Sequence, residues 1–170
     1  MANFADKYYY KRNGDSFYRA EHYDIVDMFS RRTLPELKII VKDFHYGPAP
    51  QKYNRIQCTV TLVNNGNGIA KYPYLALKMN SPFYMSDLGI NGNGATGLRR
   101  VVNNKSYMAN YSGGADIVIY PKSELDVDNI WGQILDGAEP PDLVIEYLIG
   151  ADGVGLKKMK LKIKKEQFFE

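Results

Sequence analysis

A single cysteine, a single tryptophan and two histidines are spread over 170 residues, and each scarcity closes off a class of chemistry. One thiol, Cys58, makes no internal disulfide and no cysteine-based metal cluster. His22 and His45 have no partner at ligand spacing, so each is expected at the surface or core edge, with no metal and no cofactor. No apolar run approaches the ~18 residues of a membrane-spanning helix. The opening MANFADKYYYKR lacks both the apolar stretch and the small-residue cleavage site of a secretory signal, so a cytoplasmic setting is expected. The serines lie in loops without a nearby histidine, and no carboxylate pair stands out from ordinary solvated charge. No set of nucleophile, base and orienting group is visible, and the chain is expected not to be an enzyme.

What the chain does have is short runs of strand-forming residues between clusters of Gly, Asn and Pro. An apolar share of 45% against 24% charged residues fits a folded domain, and the length suits one sandwich-sized unit with an appendage. Leu37 to Phe44 is extended, with a break at Gly47-Pro48-Ala49-Pro50. Arg55 to Val63 alternates cleanly and stops at Asn64-Asn65-Gly66-Asn67-Gly68. Pro73 to Met79, Asp116 to Tyr120, Leu143 to Ile149 and Leu156 to Ile163 complete the stronger strands. Only Asn129 to Leu135 reads as a turn of helix after Arg32. Period-two strands with such punctuation predict a mainly β protein, an antiparallel β-sandwich over residues 36–165 followed by a tail at 166–170. Cys58 shares its phase with Ile56, Val60 and Leu62, which predicts a buried thiol.

The first 35 residues differ in kind. Lys7 to Lys11 is extended, Asn13-Gly14-Asp15 supplies a turn, and Ser16 to Arg19 returns as a second strand. From Glu21 to Arg32, Ile25, Met28 and Phe29 fall on one helical face, with acids early and Arg31 and Arg32 late, matched to the helix dipole. Pro35 ends that helix. A hairpin and one short helix cannot offset an ordering cost of ~1–2 kcal/mol per residue by their own burial, so the segment must lean on a neighbour.

The string YYYKRNGDSFYRAEHYDIVDMFSRR, followed by a proline and a leucine, resembles the closing segment of Schlafen AlbA-type DNA-binding domains, found in many bacterial proteins described as ATP-binding or helix-turn-helix. The resemblance runs from Tyr8 to Leu37. It implies that residues 1–35 are the C-terminal remnant of such a domain and that the chain is a fragment of a larger bacterial protein. The family's own site residues lie upstream of the matching segment, so none carries over. The block TLVNNGNGIAKYPYLAL, Thr61 to Leu77, resembles the B-to-C strand junction of immunoglobulin-like modules, which makes an immunoglobulin-like sandwich the expected fold, without a disulfide or tryptophan pin.

Three features carry candidate chemistry. Gly92-Asn93-Gly94-Ala95-Thr96-Gly97 matches G-x-G-x-x-G, with Asp116 about 20 residues on, but no apolar strand precedes it and no helix follows, so a loop is expected rather than a phosphate cradle. Asp126, Asp128 and Asn129 are too short a ligand series for calcium.

The third feature is basic. Residues 154–170 carry six Lys/Arg against two acids. Alternation places Lys158, Lys160, Lys162 and Lys164 on one face of the last strand, with Met159, Leu161 and Ile163 expected in the core. Such lysines either contact phosphates or keep an exposed edge from aggregating. Tyr8 and Tyr10, with Lys11 and Arg12, either stack bases or cover a core.

The favoured expectation is a non-catalytic interaction or spacer sandwich attached to the AlbA-type domain, its partner that upstream domain or another protein. The alternative is a nucleic-acid-binding module using the Tyr8–Arg12 strand and the lysine face.

Overall fold

The computed structural model describes residues 8–22, 24–25, 34–49, 52–101 and 107–169. The chain is mainly β, and every strand pairing is antiparallel. An N-terminal hairpin, β1 (Tyr10–Asn13) and β2 (Ser16–Arg19), precedes two larger sheets. One has the order β3-β4-β11-β7, from β3 (Leu37–Ala49), β4 (Tyr53–Asn64), β11 (Glu124–Leu135) and β7 (Phe83–Met85). The other has the order β13-β12-β6-β9-β8, from β13 (Val154–Ile163), β12 (Leu143–Ala151), β6 (Tyr74–Met79), β9 (Ala109–Ser112) and β8 (Arg99–Val101). A small ribbon joins β5 (Ala70–Lys71) to β10 (Val118–Ile119).

The two larger sheets face each other as a β-sandwich, because their longer strands put alternate residues into one shared core. Ile56, Cys58, Val60 and Leu62 of β4 meet Leu75 and Leu77 of β6 and Leu143, Ile145 and Tyr147 of β12 there. Full burial of one such aliphatic side chain is worth about 1.5–3 kcal/mol, so this phase, rather than strand propensity, sets which face points inward. Cys58 is fully buried, as its alternation requires.

Three segments depart from expectation for identifiable reasons. Asn129 to Leu135 is not a helical turn but part of β11, a central strand. Ile130 and Ile134 both point inward, and the inward residue between them is Gly132, so a period-two strand resembles an i, i+4 helix face. β3 runs into the break expected at residues 47–50, staying paired with β4 through Pro48 and Ala49, and Pro50 lies outside the described residues. As an edge strand β3 tolerates a residue with no N–H to donate. Its irregularity lies earlier, where the register shifts between Lys42 and His45 and Asp43 takes φ 55°. The strand expected at Asp116 to Tyr120 is reduced to the two residues of β10.

Residues 165–169, of which 166–169 fall in the tail expected from sequence, form a 3-10 helix whose Phe168 is buried in the core. Its ring centroid sits 5.8 Å from that of Phe44 and 5.8 Å from that of Phe83.

In the hairpin, Gly14 takes φ 60°, the positive value that primed two-residue turns require. A helical turn follows, in which the Ile25 N–H donates to the Glu21 carbonyl at 3.0 Å and the Glu21 N–H donates back to Asp24 Oδ2 at 3.3 Å. The rest of the helix expected over Glu21 to Arg32 lies outside the described residues. No helix among the described residues is long and apolar enough to cross a membrane.

Candidate functional site

The cationic residues of β1 are held by local acids. Lys11 Nζ lies 2.8 Å from Asp24 Oδ1, and that hydrogen bond raises the lysine pKa while lowering that of the carboxyl. Arg12 Nε donates to the Gly14 carbonyl at 2.7 Å, and its guanidinium sits 3.6 Å from Asp15. The Tyr8 ring has the Arg19 guanidinium stacked on it, 3.3 Å from the centroid. Tyr10 lies directly opposite Arg19 in the ladder. Arg12 is thus met by the turn of its own ribbon, and Lys11 by the helical turn that follows it. Phe17 is 67% exposed and Tyr18 40%, so the hairpin shows aromatic surface. Tyr8, Tyr9, Arg19, Ala20, Glu21, His22 and Ile25 line an open depression of about 490 Å³.

The lysines stand on a separate sheet, on its edge strand β13. Lys158 lies opposite Leu148, Lys160 opposite Glu146 and Lys162 opposite Val144. Lys162 Nζ is 2.8 Å from Asp142 Oδ2, and this bond raises the lysine pKa and lowers that of Asp142. Lys164 follows the end of β13 and is exposed. Lys158, Lys160 and Lys164 make no ion pair among the described residues.

The alternation expected of this strand holds only at its end. Ile163 is buried and Leu161 half-buried, but Met159 is 40% exposed. Met159 lies opposite the buried Tyr147, on the inward side, yet among the described residues β13 has a neighbour on only one flank.

The glycine motif forms a loop between β7 and β8 and spends its backbone donors internally. The Gly94 N–H bonds to the Leu88 carbonyl, the Ala95 N–H to Asn93 Oδ1 and the Gly97 N–H to the Val127 carbonyl. A strand, β8, follows it, so no helix terminus meets an anion there.

Sequence reasoning did not foresee the polar groups that the sandwich buries. Asp128 accepts a 2.6 Å hydrogen bond from the Tyr111 hydroxyl. Asn129 accepts from Thr59 at 3.0 Å and donates to the Gly89 and Ile90 carbonyls, tying the glycine loop to β11. Asn64 bonds four backbone groups, of Glu36, Gly66, Gly68 and Ile119. Of these, Asn64 alone stands in phase with a core run that the sequence shows, Ile56 to Leu62 of β4. Among the described residues, no three His, Cys, Asp or Glu side chains gather as a metal site.

No family model matches the chain, and no curated protein matches it. Among solved structures, the crystal structure of a FixG-related protein from Vibrio parahaemolyticus aligns with 76% of this chain and 96% of its own at 9% identity, with a TM-score of 0.30. That likeness is too slight to carry an argument.

Proposed function

We propose that the chain is a non-catalytic interaction or spacer module: an immunoglobulin-like β-sandwich attached, through its N-terminal hairpin, to a Schlafen AlbA-type domain that handles DNA or nucleotides in a larger cytoplasmic bacterial protein. The observation that carries the reading is the hairpin. Two strands whose residues are nearly all exposed, with Phe17 at 67%, do not form a stable unit alone and need a third element to cover them.

The immunoglobulin-like assignment is supported by strand order. With β3, β4, β6, β11, β12 and β13 as A, B, C, E, F and G, the sheets follow the ABED and GFC arrangement. One departure is that β7, in the D position, comes before β8 and β9 in the chain.

The rival reading is a nucleic-acid module, and the specific observation in its favour is the set of lysines along and just beyond β13, Lys158, Lys160 and Lys164, that make no ion pair among the described residues. Against it, Lys11, Arg12 and Lys162 each have a carboxylate partner. Fluorescence anisotropy with short single- and double-stranded DNA and RNA at low and high salt separates the two, with mass followed by light scattering. Interaction or spacing predicts no salt-steep binding. Affinity falling steeply with salt, as counterion release demands, would overturn it.

A further inference from the structure

We propose that the free edge of β13 is a strand-addition site for an extended acidic segment of another protein, in which carboxylates alternate with apolar residues. The inference rests on reading the chain as an interaction module and names the chemistry of its partner.

The edge is long and open. β13 runs for ten residues and, among the described residues, its ladder is made with β12 alone, so its other flank presents backbone groups that no described strand pairs. Side chains on one face of a strand repeat about every 7 Å, and an added strand lies about 4.8 Å away, so its alternate residues fall beside alternate residues of β13. On one face those are Lys158, Lys160 and Lys162, of which only Lys162 has an acid partner among the described residues. On the other they include Met159, 40% exposed, and the half-buried Leu161, apolar surface that an incoming residue would cover.

The charge pattern selects the occupant. A second copy of this chain pairing along the same edge would set lysine beside lysine, and like charges directly opposite are destabilising. A nucleic acid would have no use for the backbone edge or for Met159. An acidic, apolar-alternating strand uses all three features together: backbone groups, lysines and the apolar lip.

The test uses the whole chain and a short fluorescein-labelled peptide of alternating Glu and Val, followed by anisotropy and by amide hydrogen exchange. Binding should add protection within residues 157–163. It should weaken at least tenfold for the Lys158→Glu, Lys160→Glu double variant, whose fold is checked by thermal melting. A fully N-methylated peptide of the same sequence keeps its charges but cannot pair, and it should not bind. Equal binding of the N-methylated peptide, protection elsewhere, or no peptide binding would overturn the inference. If an oligonucleotide titrated in parallel also fails to bind, the interaction reading survives that loss. Salt-steep oligonucleotide binding at β13 would overturn both.

Discussion

The Tyr111 hydroxyl of β9 donates a 2.6 Å hydrogen bond to the Asp128 carboxylate of β11, joining the two sheets through a pair of fully buried side chains. Burial pushes the Asp128 pKa up, partly offset by this bond and by the Asn129 N–H at 2.8 Å. Burial, and then the bond to Asp128, push the tyrosine up as well. Because the folded state holds the Asp128 proton more tightly than the unfolded chain does, this group favours folding at low pH. That contribution is lost as pH rises through the folded value.

Tyr111→Phe removes the bond that keeps Asp128 ionisable. A hydrogen bond to a charged group contributes about 1.5–3 kcal/mol, and that is the loss expected at neutral pH. Since the variant raises the Asp128 pKa further, the loss should shrink as pH falls and the carboxyl protonates. Urea unfolding of both proteins between acidic and neutral pH reads this directly. A loss independent of pH would mean that the bond does not stabilise the ionised form.

Cys58 offers an internal reporter of global opening. Its thiol is fully buried, and burial pushes its pKa up to about 12. The thiolate is the reacting species, so iodoacetamide at mildly alkaline pH should label the native protein only through unfolding. The labelling rate should rise in step with the denatured population in urea. Fast labelling without denaturant would show that β4 opens locally.

Phe168 should behave as a core residue despite lying beyond the last strand. Replacing it with Ala removes a ring held between Phe44 and Phe83, and truncations of this kind cost about 3–5 kcal/mol. Deleting residues 165–170 should cost at least as much. A midpoint unchanged in thermal melting would restore these residues to the status of a tail.

The parts of the fold legible in sequence were those governed by alternation alone. The core phase of β4, from Ile56 to Leu62, needed only period two, and Asn13-Gly14 announced the hairpin turn. What stayed hidden depends on residues that meet only after folding. Phe168 follows a lysine-rich strand, and nothing local says that its ring reaches back between β3 and β7. Asp128 and Asn129 carry no mark separating a buried structural role from a solvated one, because Tyr111 and Thr59 lie far away in sequence. The lysines of β13 were visible as a row, but their pairing was not. Asp142 reaches Lys162 because β12 and β13 run side by side, whereas Lys158 faces Leu148.

Gly132 tests why β11 reads as helical in sequence yet is a strand. It sits on the inward face between Ile130 and Ile134, opposite Phe83 of β7. A Cβ added there would lie 2.8 Å from Phe83 Cδ1 and 2.9 Å from Cε1. The ring has little room to yield, since it is buried and packs on Phe168 at 5.8 Å. Gly132→Ala is therefore expected to destabilise by about 1–3 kcal/mol, the usual cost of overpacking, although alanine is the less costly residue in a strand by backbone entropy. Pairing it with Phe83→Leu should recover part of that loss, giving a favourable interaction energy in a double-mutant cycle measured by urea unfolding. Additive effects would mean that Gly132 is required by its backbone and not by the ring that faces it.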